Sequence, residues 1–176
     1  MVPTNFASKS GYATRGNGGN WAGEFVRPLL LNVSNANYAA IAADYYACLE
    51  EVMGESQYYS MDPFHEGGGA GTMEDYEALY AAMEAAKPGS QWVIQQWQWS
   101  ATQKYSLTAV PAGRLVVLDL FSDGSPAFDG YNGYAPQDAV FCAIPNFGGR
   151  SGLMGRLQNV TDNYFKFKDK YASIKG

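Results

Sequence analysis

The sequence predicts an α/β protein in which helices cover a parallel sheet. Segments with helical and strand periodicity alternate along the chain, in the order helix, strand, helix, strand, short helix, strand, strand, helix. The run Leu115–Leu118 is apolar at every position, as is typical of a strand covered on both faces. Polar or aromatic residues follow the predicted strands, which favours a (β/α)8 barrel with its site at the carboxyl ends of the strands. The alternative is a doubly wound open sheet.

The first part of the chain contains one predicted helix and one predicted strand. The first 20 residues are rich in Gly, Asn and Ser and predict a loop. Residues with apolar or aromatic side chains then recur at helical spacing, at Tyr38, Ile41, Tyr45, Leu49 and Val52. Ser34 or Asn35 can cap the start of this helix, and Gly54 can end it. The stretch "SQYYSM" predicts a short strand that leads to Asp62.

A second helix follows a glycine-rich loop. Thr72 and Asp75 resemble a capping box at its start, and Lys87–Gly89 end it. The spacing assigns its inner face to Tyr76, Leu79, Tyr80 and Met83. Strands are predicted in "QWVIQQWQW", "GRLVVLDLF" and "DAVFCAIPNFGG", with a short helix in "SATQKYSLTAV" between the first two. A last helix begins in "SGLMGRLQNV", and the tail after it has a mixed pattern.

Composition excludes several classes of function. The chain has 176 residues, of which 47% are hydrophobic and 16% charged, so it reads as one globular domain. The formal net charge is -5 and no Lys/Arg-rich block occurs, which argues against nucleic acid as a partner. The apolar run Leu29–Leu31 is far too short to span a bilayer, and no apolar stretch near Met1 resembles a signal peptide. We expect a cytosolic protein or an internal piece of a secreted one.

The cysteine and histidine content argues against a metal or cofactor site. Cys48 lies on a helix pattern and Cys142 on a strand pattern, which predicts two buried free thiols rather than a disulfide. His65 is the chain's only histidine, so a zinc site with two distant cysteines is disfavoured. The stretch "GNGGN" does not follow a strand, so it is a weak phosphate-binding motif. We therefore expect no metal and no cofactor.

The side chains that follow the strands suggest chemistry on sugars. Glu66 is the carboxyl group best placed for proton transfer, since partial burial in its loop would raise its pKa. Trp97 could stack on the apolar face of a sugar, and Asn146 could bond its hydroxyls. This set favours a glycosidase over other barrel enzymes. Glu66 could instead be a solvated loop residue, His65 an orienting hydrogen-bond group, and Asp119 a structural partner of a lysine or of backbone amides.

Four stretches carry a family resemblance. In chain order they are "YYSMDPFHEGG", "WVIQQWQW", "AVPAGRLVVLDLFSD" and "FCAIPNFGGRSGLMGRL", and "GNWAGEFVRPLLL" precedes them. Together they resemble the α-N-acetylglucosaminidases of glycoside hydrolase family 89. The resemblance implies an exo-acting, retaining enzyme that removes terminal, non-reducing α-linked N-acetylglucosamine with two glutamates. It also implies that residues 1–176 are a central fragment of a (β/α)8 TIM barrel, with about four consecutive β/α units, and that the first strands and the nucleophile-bearing segment are absent.

The resemblance also implies roles for individual residues. Glu66 matches the general acid/base. Positions matching the sugar pocket are Trp21, His65, Trp97, Leu120, Ile144, Asn146 and Phe147. Asp62 and Asp119 match acidic positions near the site, where they would support other groups. Some relatives have Asn at the position of His65, and we expect hydrogen bonding from His65 to preserve function.

The second glutamate of a retaining enzyme is missing from the chain. No glutamate follows Glu84, so the nucleophile is expected in a segment beyond Gly176, and the chain alone is expected to hydrolyse nothing. Two alternatives stay open: a truncated product with at most weak sugar binding through Trp97 and Asn146, or an exo-glycosidase of different sugar preference. The implied partners are a glycan with terminal α-N-acetylglucosamine and the remainder of the same polypeptide. The parent protein is expected to be secreted, periplasmic or lysosomal.

Overall fold

The chain divides into two compact units. The structure is a computed structural model that describes residues 2–17, 19–65, 69–97, 99–144 and 157–176. Unit one comprises Met1–Ser90 and Gln98–Val110, and unit two comprises Gln91–Trp97 and Pro111–Gly176. No helix within the described ranges is both long and apolar enough to cross a membrane.

Unit one consists of short hairpins followed by helices. Its elements are α1 (Phe6–Ser10), β1 (Thr14–Asn17), β2 (Asn20–Trp21), β3 (Phe25–Val26), β4 (Leu29–Leu31), α2 (Tyr38–Met53), β5 (Tyr58–Ser60), α3 (Met73–Ala86), a 3₁₀ turn (Gln103–Tyr105) and α4 (Ser106–Ala109). Strand β1 pairs antiparallel with β4, and β2 pairs antiparallel with β3. The loop predicted for the first 20 residues is therefore wrong, because pairing with β4 orders β1 and the left-handed Gly11 ends α1.

Helices α2 and α3 confirm the predicted periodicity but not every predicted face. Their buried apolar residues are Ala42, Tyr46, Tyr76, Leu79, Ala82 and Met83. In α2 the inward residue is Tyr46, whose ring meets Tyr59 edge to face at 5.1 Å. Tyr45 and Val52 are instead 60% and 79% exposed, since they lie beside this face. Cys48 is also exposed, so its predicted burial is wrong.

A buried aspartate joins the hairpin to the start of α3. The predicted capping box is confirmed: the Asp75 amide donates to Thr72 Oγ1 (3.3 Å) and the Thr72 amide donates to Asp75 Oδ2 (3.0 Å). Arg15 reaches the same carboxylate with both Nη atoms, at 2.6 and 3.0 Å. Ser34, predicted as a cap of α2, instead donates its hydroxyl to Asp75 Oδ1 at 2.7 Å. Asp75 is only 1% exposed.

These contacts decide the charge state of Asp75. Burial alone would raise the pKa of this carboxyl group, but the hydrogen bonds from Arg15, the Thr72 amide and Ser34 outweigh burial and lower the pKa to about 2. An unfolded aspartate has a pKa of about 3.9, so the ionised form is favoured by folding. The carboxylate therefore stabilises unit one wherever it is ionised.

Unit two is built on three parallel strands. Its elements are β6 (Gln91–Gln96), β7 (Leu115–Asp119), a kinked 3₁₀ segment (Phe128–Tyr134), β8 (Asp138–Phe141) and α5 (Leu157–Lys170). Strand β7 lies between β6 and β8, with Trp92 opposite Leu115 and Val116 opposite Asp138. The buried side chains of this unit include Trp92, Ile94, Leu115, Val117, Phe128, Tyr134, Ala139 and Phe167. The parallel order confirms the predicted α/β class.

The end of the last helix differs from the predicted one. Helix α5 extends to Lys170 and includes most of the tail that was predicted to be mixed, while residues 151–156, where it was predicted to begin, lie outside the described residues. The last residues then return to β8, where the Ala139 amide donates to the Ser173 carbonyl at 2.9 Å. The Lys175 amide donates to the Ala139 carbonyl, also at 2.9 Å. This pairing satisfies backbone groups along β8.

Replacement of Asp75 by asparagine is expected to destabilise the chain and to change its acid sensitivity. The folded pKa is lowered, so the Asp75 contribution is complete above the unfolded pKa near 3.9 and is lost as pH falls toward 2. Asp75→Asn should lower the free energy of unfolding at pH 7 by about 2 to 3 kcal/mol. Urea unfolding at pH 7, 4 and 2.5 measures both effects.

The matched control is Asp129→Asn. Asp129 also accepts bonds from a cation and a hydroxyl, Lys170 and Tyr171, but its side chain is 55% exposed. Solvent screens such a pair, so its loss should have a much smaller effect. Equal destabilisation by the two substitutions would contradict the role assigned to the buried ion pair. So would a difference in the free energy of unfolding between the native chain and Asp75→Asn that does not shrink between pH 4 and 2.5.

Candidate active site

The chain after β5 is held in an unusual backbone conformation. Asp62, Phe64 and His65 are half-buried here, and Glu66, the predicted acid, lies outside the described residues. Phe64 has a φ of 61°, in the left-handed region that aromatic residues rarely adopt. Its carbonyl oxygen accepts a hydrogen bond from Gln103 Nε2 at 2.9 Å. The backbone is therefore fixed two residues before Glu66.

The Phe64 ring is enclosed as well. It meets Tyr76 edge to face at 5.6 Å, and the Arg15 guanidinium lies over it, 5.7 Å from the centroid. A Cβ atom at Gly71 would lie only 2.4 Å from Phe64 Cδ2, so this position has no room for a larger residue. The backbone at Gly71 therefore packs directly against the Phe64 ring.

The described residues leave one ring nitrogen of His65 without a hydrogen-bond partner. Its Nε2 atom is buried, and the described part of the chain holds no hydrogen-bond partner for it. A buried imidazole nitrogen without a partner is costly unless another group supplies the bond. This geometry is compatible with the orienting role predicted for His65.

Trp21 lies on an exposed aromatic hairpin. It belongs to β2, is 52% exposed, and its ring lies 6.2 Å from that of Phe25 in β3, which is 62% exposed. The reversal between the two strands places Ala22 and Gly23 at positive φ. An exposed pair of rings on a hairpin is available to stack on a ligand.

In unit two, three predicted positions lie at the carboxyl edge of the sheet. Gln96 and Asp119 are opposite one another in β6 and β7, so Trp97 and Leu120 follow at the same level. The Trp97 ring lies 4.9 Å from that of Phe121, at an angle of 31°. Both Trp97 and Leu120 are half-buried. Ile144, also half-buried, follows β8, whereas Asn146 and Phe147 lie outside the described residues.

Asp119 is a buried carboxyl group with no ion-pair partner among the described residues. Its Oδ2 accepts from the Ala127 amide at 2.8 Å and from the Tyr134 hydroxyl at 3.1 Å. Its Oδ1 is buried and has no hydrogen-bond partner within the described ranges. Of the two structural partners predicted for Asp119, the backbone amide is therefore observed, and a tyrosine is found in addition. The carboxyl group ties the chain after β7 back to the end of that strand.

The buried surroundings of Asp119 raise the pKa of this carboxyl group and of its neighbours Tyr134 and Cys142. Burial raises the pKa of Asp119, and its hydrogen bonds do not fully offset this effect. Burial and the neighbouring Asp119 also raise the pKa of Tyr134 and bring that of the Cys142 thiol to about 11. Cys142 is free, as predicted, but it is half-buried and protonated at neutral pH, so it is not a nucleophile.

Sequence reasoning missed the residues that hold these candidates in place. They are Arg15, Gly71, Gln103 and Tyr134. Gln103 could have been noticed as a polar residue on the inner face of a short helix, whereas Arg15 in a glycine-rich stretch carried no signal. Within the described ranges, no three His, Cys, Asp or Glu side chains come together as a metal site requires.

Comparison with known proteins identifies the family. A family model described as the tim-barrel domain of alpha-N-acetylglucosaminidase (NAGLU) matches residues 1–176. The human alpha-N-acetylglucosaminidase is 33% identical over 120 residues, an alignment that covers 61% of this chain and 16% of the human protein.

Two solved structures of a family 89 enzyme are also similar to this chain. A family 89 glycoside hydrolase from Clostridium perfringens, in complex with 2-acetamido-1,2-dideoxynojirmycin, is 31% identical with a TM-score of 0.73, and the match covers 85% of this chain and 18% of that one. A second structure is a variant of the Clostridium perfringens enzyme with two Glu→Gln substitutions, in complex with its substrate GlcNAc-alpha-1,4-galactose. It is 32% identical with a TM-score of 0.74, and the match covers 86% of this chain and 18% of that one. The chain spans less than a fifth of these relatives' length. It belongs to the α-N-acetylglucosaminidase family and to its TIM-barrel domain, which confirms the resemblance and the fold class.

Proposed function

We propose that this chain supplies the acid/base part of the active site of an exo-acting, retaining α-N-acetylglucosaminidase. The family match over residues 1–176 carries the proposal, and the fixed chain at the end of β5 that leads into Glu66 supports it. A general acid must be held in one place relative to the glycosidic oxygen, and the contacts of Phe64 provide such a support. Residues 1–176 are then a central fragment of the barrel.

Glu66 has two tasks in this scheme. It first donates its proton to the glycosidic oxygen as that bond breaks, and its carboxylate then takes a proton from the water that releases the sugar. A second carboxylate, about 5 to 5.5 Å away, must form the glycosyl–enzyme bond. Since no glutamate follows Glu84, we assign the nucleophile to the rest of a longer polypeptide. Two Glu→Gln substitutions in the Clostridium perfringens relative are in line with a pair of glutamates.

The remaining candidates bind or support the sugar. The Trp97 and Phe121 rings offer an apolar surface for a pyranose face, and Trp21 offers a second one. His65 Nε2 has no hydrogen-bond partner among the described residues, so a ligand hydroxyl or a neighbouring group can supply one. The apolar and amide positions assigned to the pocket are Leu120, Ile144, Asn146 and Phe147. Asp62 and Asp119 support the loops that follow β5 and β7.

The substrate follows from the relatives. The Clostridium perfringens enzyme holds GlcNAc-alpha-1,4-galactose as its substrate, so we propose a glycan with terminal α-linked N-acetylglucosamine for the longer protein. Its second partner is the remainder of the same polypeptide. Its compartment, secreted, periplasmic or lysosomal, stays a prediction.

Glu66→Gln in the longer protein that contains this chain should abolish most hydrolysis of GlcNAc-α-1,4-galactose. Loss of a general acid typically lowers the rate by about 10²- to 10⁴-fold. Initial rates of galactose release measure the effect, with Glu77→Gln, an exposed glutamate of α3, as the matched control. Undiminished turnover in Glu66→Gln would refute the assignment.

The 176-residue chain by itself should release no galactose, because it lacks the second glutamate. The same assay on the purified chain tests this. Turnover by the chain alone, lost in Glu66→Gln, would instead implicate a carboxylate within it, such as Asp119 or Asp123, as nucleophile.

Asp119→Asn should alter stability in a pH-dependent manner. Because the folded pKa of Asp119 is raised, its stabilising contribution is complete below the unfolded pKa near 3.9 and is lost as pH rises through the folded pKa. The stability of the native chain relative to Asp119→Asn should therefore be greater at pH 4.5 than at pH 7. Urea unfolding of both proteins measures this, with exposed Asp169→Asn as the control. A difference in the free energy of unfolding that is equal at the two pH values would contradict a raised pKa of the buried Asp119.

A further inference from the structure

We propose that Gln103 is a positioning residue for the general acid, acting through Phe64 on the chain that leads to Glu66. This inference rests on the proposed function. Gln103 is 5% exposed and lies in the 3₁₀ turn before α4, 39 residues from Phe64 in sequence. A buried glutamine needs partners for both ends of its amide, and those partners define what it holds.

The orientation of the Gln103 amide is determined by its neighbours. Nε2 donates to the Phe64 carbonyl at 2.9 Å. Oε1 accepts from the Ser100 amide at 2.8 Å and from the Ser100 hydroxyl. A flipped amide would place an acceptor against the Phe64 carbonyl and a donor against the Ser100 amide, so only one orientation satisfies the groups. Gln103 thus links the Phe64 backbone rigidly to the chain at Ser100.

The Gln103 side chain binds the backbone at Phe64, where the backbone has a disfavoured, left-handed conformation. A left-handed aromatic residue is disfavoured and persists only where its surroundings impose it. Gln103 holds the backbone of Phe64, while Gly71, Tyr76 and Arg15 hold its ring. The two ends of the segment from Phe64 to Gly71 are therefore fixed against one another.

The consequence for catalysis follows from chain geometry. Two peptide links separate Phe64 from Glu66, so the position of Phe64 restricts that of the carboxyl group. Without the Gln103 bond the Phe64 carbonyl loses its donor and the left-handed conformation loses one of its supports. Displacement of a catalytic group by about 1 Å can cost on the order of 10²-fold in rate. The loss should appear in proton donation, because the Gln103 amide bonds only to Ser100 and to the Phe64 carbonyl within the described ranges, and neither is a predicted sugar-binding residue.

Leaving-group dependence separates this role from a general loss of structure. Cleavage of GlcNAc-α-1,4-galactose needs protonation of the leaving oxygen, whereas a dinitrophenyl α-N-acetylglucosaminide leaves without it. Because kcat/KM reports on steps up to the first irreversible bond cleavage, it is the quantity to compare. In the longer protein, Gln103→Leu should lower kcat/KM for the disaccharide by about 10- to 100-fold and for the dinitrophenyl substrate by less than about 3-fold.

Two further variants complete the experiment. Ser100→Ala removes one bond to Gln103 Oε1 from an exposed residue, so it should fold and show the same selectivity at a smaller size. Gln91→Leu is the matched control, since Gln91 Nε2 donates to the Gly113 carbonyl at 2.9 Å, and it should change both substrates equally. Thermal unfolding verifies that each variant is folded.

The outcomes distinguish this inference from the proposed function. Selective loss on the disaccharide in Gln103→Leu, or in Ser100→Ala if the former does not fold, supports positioning. Equal loss on both substrates, or none, overturns it, even where Glu66→Gln shows the selective loss expected of a general acid. Full disaccharide activity in Glu66→Gln would overturn the proposed function and this inference together.

Discussion

The ion pair between Arg15 and the buried Asp75 is the interaction on which unit one depends. It joins three segments that are distant in sequence: the β1–β4 hairpin, the start of α3, and the chain after β5, over whose Phe64 ring the guanidinium lies. Burying a carboxylate at 1% exposure is costly unless its lone pairs are filled, and Arg15, Thr72 and Ser34 fill them. Asp75, which caps α3, therefore also holds Arg15 against Phe64, in the chain that leads to Glu66.

Unit two solves a similar problem with different chemistry. Asp119 is as deeply buried as Asp75, but its bonds come from an amide and a tyrosine hydroxyl rather than from a guanidinium. The pKa of Asp75 is consequently lowered and that of Asp119 raised. Both aspartates hold a loop against the end of a secondary-structure element. In the TIM-barrel family to which the chain belongs, such loops at the strand ends form the active site.

Local patterns in the sequence predicted most of the elements. The capping box of α3, the stop at Gly54 and the run Leu115–Leu118 depend on neighbouring residues, so spacing alone was sufficient. The first 20 residues could not be predicted, because β1 is ordered by pairing with β4 rather than by its own composition. The exposure of Cys48 depends on which flank of α2 faces α3, which a helical stripe with aromatic residues on both edges does not decide.

The candidate site also combines positions that the sequence predicted with long-range contacts that it did not predict. Strand-end patterns predicted Trp97 and Asp119 at the carboxyl edge of the sheet, because strand ends are local features, whereas Leu120 came from the family resemblance. The contacts that position the site join residues 39 to 60 apart, as with Gln103 and Phe64 or Arg15 and Asp75, and single-chain spacing carries no record of them. The roles of all the candidate residues stay predictions, and Glu66, Asn146 and Phe147 also lie outside the described ranges.

The most direct test of the account is a crystal structure of the longer protein with 2-acetamido-1,2-dideoxynojirmycin, the compound bound by the Clostridium perfringens relative. We expect the Glu66 carboxyl group within hydrogen-bond reach of the ligand, about 2.6 to 3.2 Å, with the Gln103–Phe64 bond intact and a second carboxylate across the sugar. A ligand bound elsewhere, or bound with a different acid in the place assigned to Glu66, would contradict it.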